Sequence, residues 1–189
     1  MELKDAVKGR RSIRKFKDMA VSKDKIEAII SDALWAPSPM NRQNWKIFVL
    51  TGKRKNELIS LCSKSYGFIR PRLEKLFKPS VVEWTKKFFE DFGGAPLVLV
   101  IYYIPSGEES TGDLQGTAAL IQNLLLLLHA EGLAGCWMTG PLHVSDDINS
   151  YLGVDGMELV AVIPAGYPDQ TPPVPPRRVG NVEYLGFDE

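Results

Sequence analysis

Arg10, Arg11, Ser12, Arg14 and Lys15, followed by Phe16, put three guanidiniums, a hydroxyl and an ammonium into one short stretch near the N-terminus. Guanidinium forks match phosphate oxygens two at a time, and a serine hydroxyl with exposed backbone amides can complete the shell. The segment therefore suits a phosphate, against the alternative of a solvated basic surface. A second candidate is Gly132-Leu133-Ala134-Gly135-Cys136-Trp137-Met138-Thr139-Gly140, where small residues let the main chain approach a flat ligand. A third is Pro175-Pro176-Arg177-Arg178-Val179, which carries two more guanidiniums near the opposite end. Metal chemistry is not indicated, because Cys62, Cys136, His129 and His143 do not combine at a ligand spacing. Cys136 has no base beside it in sequence and reads as a packed thiol rather than a nucleophile. The two histidines read as structural or surface residues.

Groups of this kind need a scaffold, and 189 residues with 44% hydrophobic content support one sizeable core, residues 1–189 forming a single domain. Lys plus Arg (23) equals Asp plus Glu (23), so no global field favours nucleic acid or an anionic membrane. Met-Glu-Leu-Lys-Asp at the start has no apolar stretch behind a basic region, which predicts a cytoplasmic protein. The longest apolar run, Leu124 to Leu128, is flanked by Gln122, Asn123 and His129. That falls well short of the roughly 20 residues a spanning helix needs.

Ser22 is a candidate cap for a helix over 23–35, with Ile26, Ile29, Ile30, Ala33 and Leu34 at helical spacing until Pro37. A strand is predicted over 45–51, a turn at Gly52 and a helix over 53–63. Residues 66–92 mix aromatics with charges and predict short helices over a pocket. Residues 95–104 are almost continuously apolar, as expected of a strand covered on both faces. A helix over 111–131 is apolar nearly all round and so calls for two packing partners, one of them a neighbouring subunit. A short strand over 134–138, a small helix capped by Ser145 and running to Leu152, and a covered strand over 159–165 complete the core. The proline-rich tail from Pro168 predicts an extended arm. Mixed helices and strands without Gly-x-Gly-x-x-Gly favour an α+β sandwich over a dinucleotide-binding sheet.

Four segments together resemble the nitroreductase family of flavin mononucleotide enzymes over nearly the whole chain. They are Arg10 to Phe16, Ala36-Pro37-Ser38-Pro39-Met40-Asn41-Arg42-Gln43-Asn44-Trp45, Gly132 to Gly140, and Pro175 to Val179. The resemblance implies a nitroreductase-like α+β fold: a central mixed β-sheet flanked by helices, with a C-terminal arm reaching the partner subunit. It further implies non-covalent FMN at the interface of a homodimer, with NADH or NADPH as co-substrate. Arg10, Arg11 and Ser12 would grip the flavin phosphate and ribityl chain, and Arg14 would lie near the pyrimidine edge. There a cation favours the extra negative charge of reduced flavin. Pro37, Ser38 and Pro39 would reach the ring from the opposite subunit, with Asn41 shaping the loop. Trp137 and Met138 would line the ring, and the backbone amide of Thr139 or Gly140 would donate to flavin N5. Arg177, or alternatively Arg178, would close on the phosphate. Asn44, Pro39, Pro175 and Val179 depart from the family pattern.

The activity so implied is a ping-pong transfer of hydride from NAD(P)H through flavin N5 to a small acceptor such as a nitroaromatic or quinone. Tyr66, Phe68, Arg70 and Arg72, from the variable helical lid over 66–92, are the candidate acceptor-lining residues. Dehalogenation and alkene reduction are alternatives within the family. Outside catalysis stand a flavin- or nucleotide-binding regulatory module and an interaction domain built on the leucine-rich helix.

Overall fold

A computed structural model of the protein describes residues 1–107 and 110–186. Its elements in chain order are α1 (Leu3–Gly9), α2 (Lys23–Ala33), β1 (Trp45–Thr51), α3 (Gly52–Ser63), α4 (Tyr66–Leu76), α5 (Pro79–Asp91), β2 (Leu97–Tyr103), α6 (Ser110–Ala130), β3 (Ala134–Gly135), α7 (Ser145–Leu152) and β4 (Glu158–Gly166). Ser22 caps α2 as expected, its hydroxyl accepting from the Lys25 amide. Ser145 does not cap α7. It follows a 3-10 turn at Gly140–Val144 and already has helical backbone angles, so the chain enters α7 without a side-chain cap.

The sheet has the order β1-β2-β4-β3, and its named strands pair antiparallel. Among the described residues, parallel pairing is confined to a bridge between Ser12 and Gly135. Every residue of β2 is buried. Alternate side chains of a strand leave opposite faces, and both faces are covered here. Leu97, Leu99, Ile101 and Tyr103 join α2 and α6, while Val98, Val100 and Tyr102 join α3, α5 and α7. The result is a helix–sheet–helix sandwich. Leu120, Leu124 and Leu128 of α6 are fully buried against it, each such side chain being worth roughly 2–3 kcal/mol of burial.

The predicted strand over 134–138 is interrupted. Cys136 donates to the Pro164 carbonyl and Met138 exchanges both backbone bonds with Val162, yet Pro164 has no N–H to return to Cys136. Only Ala134–Gly135 therefore forms regular strand. Beyond Pro168 no described residue lies in a helix or strand. Among the described residues, no helix is long and apolar enough to cross a membrane.

Candidate functional site

The basic segment is held in place by backbone bonds rather than by its charges. Ile13 donates to the Gly135 carbonyl (3.2 Å), Phe16 to Gly93 (2.9 Å) and Lys17 to Tyr167 (2.9 Å), while Asp169 donates back to Lys15 (2.9 Å). The Arg14 amide reaches the Gln170 side chain at 3.0 Å. Ile13 and Phe16 anchor the stretch in a small apolar cluster with Ala95 and Ala134. Gly93 makes the approach possible: at φ +65, a Cβ on it would stand 2.1 Å from the Arg14 carbonyl oxygen. Arg10 and Arg14 are thus set against the Gly132–Gly140 run.

Two hollows lie along these segments. The first, about 370 Å³, is lined by Arg10, Arg11, His129 and Gln170 among others. The second, a cleft of about 490 Å³, is lined by Arg14, by Cys136 to Gly140, and by residues of α4 and α5. Cys136 joins them electrostatically. Burial pushes its thiol up, opposed by the nearby Arg14 and Arg10 guanidiniums. Burial also lifts Cys62 to about 12, so both cysteines stay neutral thiols and neither is a nucleophile.

The Arg14 guanidinium carbon lies 6.0 Å from the ring centres of both Trp84 and Phe88 on α5, within range of cation–π attraction. The Trp137 Nε1 is buried and has no hydrogen-bond partner among the described residues. Thr139 is the cap and Gly140 the first residue of the 3-10 turn, positions whose N–H groups have no acceptor inside a helical turn. Arg11 differs from its neighbours. Its Nη1 donates to the Lys8 and Arg10 carbonyls at 2.7 Å, closing the end of α1, while its Nε is buried with no partner among the described residues. Lys15 is drawn away by an ion pair with Asp169.

The other expected cofactor residues lie elsewhere in the single chain. Pro37, Ser38 and Pro39 face α6 around Gly112, Gln115 and Gly116, and Asn41 lines a separate hollow beside Trp35. Arg177 and Arg178 are in the exposed tail and line neither the cleft nor the first hollow. Of the acceptor candidates only Arg72 lines the cleft. Tyr66 and Arg70 line a crevice between α4 and α5, Arg70 paired with Glu74 at 2.7 Å. Phe68 stacks on His143 at 5.2 Å.

Arg42 escaped the sequence reading as a functional residue. Its guanidinium donates to buried Asp113 on α6 at 2.7 Å, and Asp113 also accepts from the Ser106 amide and hydroxyl. Ser106 first, and Arg42 after it, hold the Asp113 carboxyl down at about 2. This clamp spans a loop in which Met40, Asn41 and Gln43 all have positive φ, a conformation that costs non-glycine residues of order 1 kcal/mol each. The spacing gave no sign of it, because the two partners are 71 positions apart.

Comparison with known proteins places the chain in a family. The model of the nitroreductase family matches residues 7–167. The putative NAD(P)H nitroreductase YfhC of Bacillus subtilis is 30% identical, the alignment covering 93% of this chain and 89% of that protein. An iodotyrosine deiodinase from Thermotoga neapolitana is 27% identical over 98% of both chains. The fold also superposes on the FMN-dependent nitroreductase NfnB from Mycobacterium smegmatis in complex with NADPH, with a TM-score of 0.79, 22% identity and 96% of each chain covered. Since the matched span runs from the basic segment through the Trp137 turn to the end of β4, the chain belongs to the nitroreductase family.

Proposed function

We propose that the protein is a homodimeric, FMN-dependent oxidoreductase that takes hydride from NADH or NADPH and delivers it to a small acceptor such as a nitroaromatic or quinone. The observation that carries this reading is the placement of Arg10 at one hollow, and of Arg14 with Thr139 and Gly140 at another, along one stretch of backbone. Bound FMN would supply the redox chemistry, alternating between an oxidised and a reduced ring in a ping-pong cycle.

The residues present fit such a group. The first hollow offers Arg10 for a phosphate, with Arg11 presenting an Nε that has no partner among the described residues. Ser12, half-buried beside Gly135, would meet the ribityl chain. In the cleft, Arg14 would stand at the pyrimidine edge, where a fixed cation favours the reduced ring. Trp137 brings an unused indole N–H, and Thr139 or Gly140 an uncommitted amide to steady charge developing at N5. The aromatic lining excludes water around the ring. No side-chain acid or base is needed in this scheme.

The second subunit supplies what one chain lacks. Exposed apolar groups, among them Leu3, Val7, Trp35 and Leu114, suit burial against another copy. In such a dimer Pro37, Ser38, Pro39 and Asn41 would approach the partner's ring, and the tail would carry Arg177 or Arg178 to a phosphate. A second reading, reductive dehalogenation, is favoured by the similarity to the Thermotoga deiodinase.

Purified protein is expected to carry flavin absorbance, to bleach anaerobically with NADH or NADPH and to regain colour with a quinone. Halide release from a halophenol under the same conditions separates the second reading. Colourless protein that takes up no added FMN would overturn both.

A further inference from the structure

We infer that the acceptor taken by this cleft is a flat aromatic ring bearing a carboxylate, selected by Arg72; the inference rests on the flavin reading for its redox arm. Helix α4 sorts its side chains by phase. Ile69, Arg72 and Leu73 face the cleft, as i, i+3 and i+4 positions do on one helical face. Tyr66, Arg70 and Glu74 face the neighbouring α4–α5 crevice. Opposite Arg72, α5 presents Val81, Trp84, Thr85 and Phe88 to the same cleft.

The charges differ between the two spaces. In the crevice Arg70 and Lys86 are matched by Glu74 and Glu83. The cleft is lined by Arg14 and Arg72 with no acidic residue among its described lining. Arg14 is committed to the aromatic faces of Trp84 and Phe88 and, in the flavin reading, to the pyrimidine edge. Arg72 has no ion-pair partner among the described residues and stands on the wall that belongs to the lid. A positive site with low-dielectric walls concentrates anions, and a guanidinium takes a carboxylate in a bidentate grip. The rings of Phe77 and Trp137, which Arg14 does not cover, provide the flat apolar surface on which the acceptor's ring would lie.

The test compares 4-nitrobenzoate with 4-nitrobenzamide, which share ring and nitro group and differ in charge. Binding to the holoprotein is read by quenching of tryptophan fluorescence, and turnover by kcat/KM for each acceptor. Wild type is expected to favour the benzoate by about fivefold, the scale of a half-exposed charge pair. The preference should shrink in roughly 0.5 M salt. Arg72→Ala should abolish it by weakening the benzoate alone, Arg72→Lys should restore part of it, and Arg72→Glu should invert it. Arg70→Ala, which removes the same charge from the crevice side of the same helix, should leave it intact. Equal binding of the two compounds by wild type overturns the inference, as does an Arg70→Ala effect equal to that of Arg72→Ala. A loss in Arg72→Ala shared by the benzamide and NADPH overturns it too. Protein that bleaches with NADPH yet shows no charge preference refutes only the Arg72 assignment. Charge-selective binding without bleaching refutes the flavin reading instead.

Discussion

Replacing Gly93 by alanine should dislodge the basic segment without touching a single cation. Gly93 sits at φ +65, and its added Cβ would be 2.1 Å from the Arg14 carbonyl oxygen and 2.7 Å from the carbonyl carbon. Both atoms are backbone, so no rotamer change relieves the clash and the Arg14–Phe16 strand must move. Left-handed backbone costs a non-glycine residue about 1–2 kcal/mol. Movement also endangers the bond from the Phe16 amide to the Gly93 carbonyl, worth about 1 kcal/mol. The total, about 2–3 kcal/mol, corresponds to a Tm lowered by roughly 4–12 °C in a chain of this size. Because Arg14 moves with the strand, FMN affinity should fall by about tenfold or more. Gly132→Ala is the control: its φ is +74, but its Cβ would meet nothing within 4 Å, so only the backbone strain of about 1–2 kcal/mol remains and a smaller drop, about half to two thirds, is expected. Calorimetry and flavin titration of both variants decide the matter. Equal Tm values for the two, with wild-type FMN affinity in Gly93→Ala, would refute the steric argument.

Further expectations concern the phosphate, the clamp and the dimer. Arg10→Ala removes a charge-assisted bond worth roughly 1.5–3 kcal/mol and should weaken FMN retention about tenfold or more, read by ultrafiltration; undiminished occupancy would reject the assignment. Asp113 titrates at about 2 when folded against an ordinary 3.8, so its contribution is complete above that ordinary value and is lost as pH falls towards about 2. The unfolded chain binds more protons in this window, and stability rises with pH across it. Asp113→Asn should flatten that acid limb in urea unfolding, and an unchanged limb would mean the clamp is not ionic. Leu114→Glu charges an exposed apolar position on α6 and should yield monomers that retain FMN poorly; sedimentation showing an intact flavin-bound dimer contradicts a seam on this face.

Much of the fold could be read from residues with local signatures. The unbroken apolar runs of β2 and β4 marked strands covered on both faces, and Ser22 and Pro37 bracketed α2, because caps and prolines act within a few positions. Ser145 misled for the same local reason: a serine before a helix resembles a cap, but here the preceding 3-10 turn had already set its backbone. Nothing local signals the Arg42–Asp113 clamp or the Gln170 contact to Arg14, which join distant positions. Pro164 was visible, yet its interruption of the pairing with Cys136 depends on register. The phase of α4 was legible in principle, since Tyr66, Arg70 and Glu74 are four apart, but only the packed helix shows which face meets the cleft.

The bonds that hold residues 13–17 have a kinetic consequence. They join the start of the chain to Gly135 and to Tyr167–Gln170, with Arg14 and Gln170 separated by 156 positions. Closing so long a loop is entropically costly, and contacts of such high order form late in folding. The sheet and α6 can assemble first, leaving this edge to zip up last and fray first. Amide exchange at Phe16, Lys17 and Asp169 should therefore run ahead of exchange in β2.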